Sequence, residues 1–266
     1  MKKLSKIYTG LVFLFLYAPI FVLIAYSFNE SKSRSKWTGF TFDWYVKLFN
    51  NDEIIQALLN TLLIAVISCI AATVLGTAAA IGIDKMNKKL RGAVVNVTYL
   101  PILNPEIVTG VSLMLLFTFL KIEFGYTTLI LAHISFGVPY VIFNVLPKLK
   151  QMDKYIYDAA LDLGCSPFKA FWKVVVPEIS PGIVSGALMA FTYSLDDFVI
   201  SYFTSGVESQ TLPIKIFSMT RRKVSPEVNA LSTIIFLVTL TVLLIIYLKD
   251  SKKEKMTRIK KRGEAI

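Results

Sequence analysis

The chain has 266 residues, 55% of them hydrophobic and 18% charged, with a mean hydropathy of +0.60. A soluble domain carries about 25% charged residues, so a disordered chain is excluded, two cysteines exclude a disulfide scaffold, and a soluble globular enzyme fits poorly. The net charge of +11 flanks long apolar runs instead of gathering on one basic face, which points to a membrane protein and away from nucleic acid.

The N-terminus, Met1-Lys2-Lys3-Leu4-Ser5-Lys6, is basic and leads into apolar sequence, as a signal peptide does. The apolar stretch runs to Phe28, longer than the usual h-region of about 7–15 residues, so it reads as a retained first span, although Ala25-Tyr26-Ser27 is a passable cleavage site. A helix needs about 20 apolar residues to cross a bilayer core. Six segments qualify: Ile7–Phe28, Ala57–Ile83, Gly92–Leu120, Phe124–Leu146, Ile179–Gly206 and Val228–Leu248. They are too long for barrel strands, so the expected class is all-α with six transmembrane helices.

The predicted organisation is a first helix with an outer loop (1–56), a five-helix transmembrane domain (57–248) and a basic tail (249–266). Orientation follows from Lys and Arg in the connections. The N-terminus, Asp84–Arg91, Pro147–Glu178 and the tail hold 20 of them, against 9 on the opposite side. Both termini are therefore expected in the cytoplasm, and Arg221-Arg222-Lys223 falls outside, against the rule. Pro19, Pro101, Pro105 and Pro139 lie within spans, where a missing N–H kinks a helix. Cys69 and Cys165 have no second Cys or His at ligand spacing, so no metal site is expected.

The long cytoplasmic connection, at about 148–178, has helical grammar of its own. Asp153 is placed to cap a helix Lys154–Leu163, with Gly164 as its left-handed stop. Ser166 and Pro167 then open a second helix, Phe168–Val176, expected to end before Pro177. Ala160 and Gly164, with Ala159 adjacent, leave one side small enough for close approach, while Phe168, Phe171 and Trp172 make the second helix an apolar plug.

Asp158-Ala159-Ala160, three residues, Gly164, nine residues, then Val174-x-Val176-Pro177 resembles the EAA loop of ABC importer permeases. The departures, Asp158 for Glu, Val174 for Ile and Val176 for Leu, are conservative. The likeness extends to the spermidine/putrescine type of these permeases. It is carried by Tyr17 and Pro19, Ser27-Phe28-Asn29, Trp44-Tyr45, Pro105-Glu106-Ile107-Val108, Ser194-Leu195-Asp196-Asp197, Leu212–Ile216 and Val224–Ala230. The resemblance implies a type I ABC importer permease fold in a prokaryotic cell membrane. It implies polyamine import and half of a translocation pathway, completed by a second, PotB-like permease subunit. It also implies a separate ABC ATPase in two copies, holding the ATP and Mg, and an extracytoplasmic polyamine-binding protein. Asp158, Ala159, Ala160, Gly164, Val174 and Pro177 are the positions it assigns to ATPase coupling.

Intramembrane carboxylates are expensive, about 2.5–3.5 kcal/mol each on insertion scales, so Glu106, Asp196 and Asp197 should face a cavity or a partner. Counted along a helix to Gly206, Asp196 lies about 15 Å from the surface. Adjacent helical residues diverge by about 100°, so Asp196 is expected to face the pathway and Asp197 to pack or hydrogen-bond against a neighbour. Polyamine ammonium groups would pair with Asp196 and Glu106, and Trp44 and Tyr17 are the aromatic candidates for cation–π contact. His133, the only histidine, has no acidic residue three or four positions away and reads as a packed, hydrogen-bonded side chain rather than a proton relay.

The chain holds no Gly-Lys pair and hence no phosphate loop, so it is expected to be a non-catalytic subunit with no cofactor of its own. An ion- or proton-coupled secondary carrier for an organic cation is the alternative, and it leaves the EAA spacing as coincidence. A membrane enzyme would need an HExxH or GxSxG constellation, which is missing from the sequence.

Overall fold

The computed structural model describes residues 2–31, 36–222 and 226–241. Among these, the regular elements are all helices apart from a single isolated bridge, Asn29 to Phe40, and turns and loops join them. Among the described residues, four helices are long and apolar enough to cross a membrane, five if one bent pair counts as a single span. The chain divides into two compact units, one of residues 53–215 and one built from the N-terminal 52 residues with residues 216–266.

In the 53–215 unit, α3 (Asp52–Asp84) starts one residue ahead of the boundary and carries a stripe of small buried residues. Ala57, Thr61, Ala65, Ser68, Ala72, Gly76 and Ala80 recur every three or four positions, as one helix face requires. Small residues let backbones approach, the packing mode of membrane helices. Thus a Cβ on Gly76 would come within 2.6 Å of the Val141 side chain on α6 (Tyr126–Gln151). The main core joins Ala72, Ala80 and Ile83 of α3 to Val141, Val145 and Leu149 of α6 and to Ile179 and Ala190 further along.

The expected third span, Gly92–Leu120, is not one helix. It splits into α4 (Lys88–Leu103) and α5 (Glu106–Phe119), bent by 101°. Pro105 disfavours helical geometry at the residue before it, and Asn104 is accordingly extended, with ψ 141°.

After α6, Asp153 caps α7 (Lys154–Asp162) by accepting the Tyr155 N–H at 3.0 Å. Gly164 takes φ +83°, the Cys165 N–H reaches the Ala160 carbonyl and the Gly164 N–H reaches that of Leu161. This pair of bonds is the glycine stop of a Schellman motif. The next helix corrects two expectations. Pro177 does not end it, and the fifth span is not Ile179–Gly206. Instead α8 (Pro167–Ala170), a π turn (Phe171–Val175) and α9 (Val176–Asp196) run on as 30 continuous residues. The π turn sends the Val176 N–H back to the Phe171 carbonyl, a wider turn placed just ahead of the proline. The helix stops at Asp196 because Asp197 is extended, with ψ 120°, and a short α10 (Val199–Thr204) follows. The depth of Asp196 counted along an unbroken helix to Gly206 is therefore withdrawn.

In the other unit, α1 (Lys2–Ser27) contains Pro19 and presents mostly exposed apolar side chains. Its end leads into an aromatic cluster in which Phe28 stacks on Phe40 at 5.1 Å and meets Phe42 and Tyr45. Tyr45 belongs to α2 (Asp43–Phe49). α11 (Leu212–Arg222) crosses the unit boundary, and α12 (Pro226–Thr241) covers the described part of the expected sixth span. The remainder of that span, the basic tail and Lys223 of the outer basic cluster lie outside the described residues.

Candidate functional site

A cavity of about 220 Å³ opens in the 53–215 unit where the break between α4 and α5 faces the break between α9 and α10. Both breaks bring carboxylates to it: Glu106 from the start of α5, and Asp196 and Asp197 from the end of α9. Tyr140 of α6 and Tyr193 of α9 supply aromatic wall, stacked with centroids 4.4 Å apart and planes 13° from parallel.

The carboxylates differ in surroundings. Asp196 and Glu106 are exposed and, among the described residues, no hydrogen bond or ion pair of the chain engages either. Asp197 turns inward, its side chain 6% exposed. One of its oxygens accepts the Ile200 N–H at 3.3 Å and the other the Ser201 N–H at 2.6 Å, so it occupies the first backbone donors of α10. Its Oδ2 also lies 3.7 Å from Nε2 of His133.

His133 is 1% exposed on α6. Nδ1 is hydrogen-bonded to Ser194 Oγ at 2.6 Å and Nε2 to Ser201 Oγ at 3.0 Å. It is a packed, hydrogen-bonded histidine, and its acidic neighbour comes from the break after α9 rather than from its own helix. Sequence spacing on α6 could not reveal that partner.

Trp44 and Tyr17, the aromatic candidates, belong to the other unit. Trp44 is 4% exposed, gives its indole N–H to the Asn29 carbonyl at 2.7 Å and carries the Lys47 ammonium 4.5 Å from its ring centroid. Tyr17 is exposed on α1, 6.2 Å from the Phe13 ring. Tyr140 and Tyr193 were missed. One signal was available: Tyr193 stands three residues before Asp196, on the same helix face.

The positions assigned to coupling lie together in chain order. Asp158 and Ala159 are exposed and Ala160 half-buried on α7, Gly164 makes the turn, Val174 sits in the π turn and Pro177 opens α9. Phe168 and Trp172 are exposed beside them, while Phe171 packs against the main core.

The model of the family described as "binding-protein-dependent transport system inner membrane component" matches residues 72–250. The chain is 38% identical to the spermidine/putrescine transport system permease protein PotC of Haemophilus influenzae, over 91% of this chain and 94% of that one. It is 41% identical to the putrescine transport system permease protein PotI of Escherichia coli K12, over 84% and 82%. Among solved structures it resembles a bacterial ABC transporter involved in alginate import, with a TM-score of 0.69 at 16% identity over 94% of both chains. It also resembles an amino acid ABC transporter crystallised with histidines, with a TM-score of 0.55 at 16% identity over 78% of this chain and 98% of that one. All-helical, multi-pass and matched along most of its length, the chain belongs to the binding-protein-dependent transport system inner membrane component family.

Proposed function

We propose that this chain is the permease subunit of an ATP-driven importer of polyamines, spermidine or putrescine, and that the cavity between the two helix breaks is its part of the substrate path. The observation that carries the reading is the pair of exposed carboxylates, Asp196 and Glu106, that have no cationic partner among the described residues and lie beside the Tyr140–Tyr193 stack. Alkyl ammonium groups suit that lining: carboxylates pair with the charges, and aromatic rings take the cation and its methylenes at about 0.5–2 kcal/mol per contact. The names of the relatives from Haemophilus influenzae and Escherichia coli support the same substrate class.

In this reading the chain is non-catalytic. A partner ATPase, in two copies, binds ATP and Mg and engages the exposed face of α7 around Asp158, Ala159 and Ala160. A second permease completes the pathway, and an extracytoplasmic binding protein delivers substrate. Both termini lie in the cytoplasm in this reading, which the excess of Lys and Arg in the connections on that side supports.

The test is ATP-driven uptake of labelled spermidine by the reconstituted complex, comparing wild type with Asp196→Asn after ATPase assembly has been verified. Wild-type uptake with at least about tenfold loss in the variant is expected, the effect of losing one hydrogen bond between charged groups. Equal uptake by both would remove Asp196 from the path. A wild-type complex that hydrolyses ATP but moves no polyamine would overturn the substrate class.

A further inference from the structure

We propose that His133 is a positioning residue for the cavity carboxylates, a strut that fixes the helix break carrying Asp196 and Asp197. The proposal rests on the reading of the cavity as the substrate path.

A break inside a membrane-spanning region leaves backbone and side-chain polar groups that must be satisfied within the protein. At this one, α9 stops at Asp196 and α10 starts at Val199, with no helical ladder across the gap. His133 belongs to neither helix yet touches both. Its two ring nitrogens lie on opposite edges of a rigid plane, one bonded to Ser194 before the break and the other to Ser201 after it. Ser194 Oγ is in turn 3.3 Å from Ser68 Oγ on α3, so three long helices meet at this point. Asp197, between the serines, is held by the Ile200 and Ser201 N–H groups.

Ser68, His133, Ser194 and Ser201 are all 3% exposed or less. A fully satisfied polar network in such surroundings is stiff, because every alternative leaves a buried group unpaired. Asp196 is the residue between this clasp and the cavity. It follows Ser194 by two positions, and among the described residues no hydrogen bond or ion pair holds its side chain. The direction of its carboxylate is therefore set by where the chain turns, and the chain turns where His133 holds it. His133 itself lies behind the wall, against the Phe136 ring at 5.1 Å, and does not line the cavity.

The role differs from that of a residue that only supports the fold, because it predicts a local displacement at Asp196. A neutral amide, with an acceptor oxygen and a donor NH2 group, should replace the ring in part, so His133→Gln is the conservative variant and His133→Ala the disruptive one. Two readouts are taken in the assembled complex. The first is spermidine moved per ATP hydrolysed, expected to fall about tenfold in His133→Ala and to recover in His133→Gln. The second needs no substrate. With Cys69 and Cys165 replaced by Ser, the rate at which a cationic thiol reagent modifies Asp196→Cys should change several-fold when His133→Ala is added and return with His133→Gln.

An unchanged modification rate in His133→Ala overturns the proposal, as does uptake per ATP equal to wild type. If His133→Ala does not assemble, Ser201→Ala removes one side of the strut alone and is read by the same two measurements with the same expectations. Failure of the wild type to move spermidine would sink the substrate reading alone, since the modification rate reports the strut without it.

Discussion

Asp196 and Glu106 sit at opposite kinds of helix end. Glu106 is the first residue of α5, where unpaired N–H groups and the helix dipole favour a negative charge. Asp196 is the last residue of α9, where carbonyls crowd and the dipole disfavours it. The penalty is about 0.3–1 kcal/mol at an accessible position, and a bound ammonium group would relieve it. Opposite signs follow for two similar substitutions. Without substrate, Asp196→Asn should raise the thermal stability of the complex while uptake falls, whereas Glu106→Gln should lower stability by a comparable amount. Unfolding of both variants in detergent, followed by near-UV dichroism, reads the signs, and a fall for Asp196→Asn would place its carboxylate among stabilising contacts instead. A residue that costs stability and is needed for transport is what a substrate site is expected to contain.

At the scale of elements, α9 packs on α6 through glycines. A Cβ at Gly186 would stand 2.8 Å from the Val141 Cα, and one at Gly182 would stand 2.6 Å from the Asn144 carbonyl oxygen. Backbone does not yield as a side-chain tip does, so Gly186→Ala should push the helices apart and cost about 1–3 kcal/mol. Gly82 on α3 has nothing within 4 Å of its would-be Cβ, so Gly82→Ala should gain about 0.4–1 kcal/mol. Melting temperatures of the two variants moving the same way would refute this account of the packing. The element boundaries show what sequence could and could not supply. Caps are local, so Asp153, Ser166 and Gly164 were legible, and α7 falls within one residue of its expected end. Pro105 was read as a kink and proved a full break, its signal present but its size set by packing. Pro177 misled because a π turn, which no residue pattern announces, carries the helix past it. The stop at Asp197 depends on backbone donors it captures from α10 and on His133 from α6, and the Tyr140–Tyr193 stack depends on the register of α6 against α9. Both are tertiary facts.

At the scale of the whole molecule, composition alone gave the class, since apolar runs of about 20 residues bounded by charge admit few alternatives. Direction rests on the excess of Lys and Arg in one set of connections, 20 against 9, a bias that retains basic loops in the cytoplasm during insertion. Two exposed positions test it. Lys89, in the first turn of α4, belongs to the basic set. Val207 is 90% exposed in the connection after α10 and belongs to the other set. In a background with Cys69 and Cys165 replaced by Ser, a membrane-impermeant maleimide should label Val207→Cys in intact spheroplasts and Lys89→Cys only after lysis. Labelling of Lys89→Cys from outside, with Val207→Cys protected, would invert the molecule. It would move the α7 face to the extracytoplasmic side, where no ATPase could reach it, and with that the proposed coupling would fall even if the cavity and its carboxylates stood.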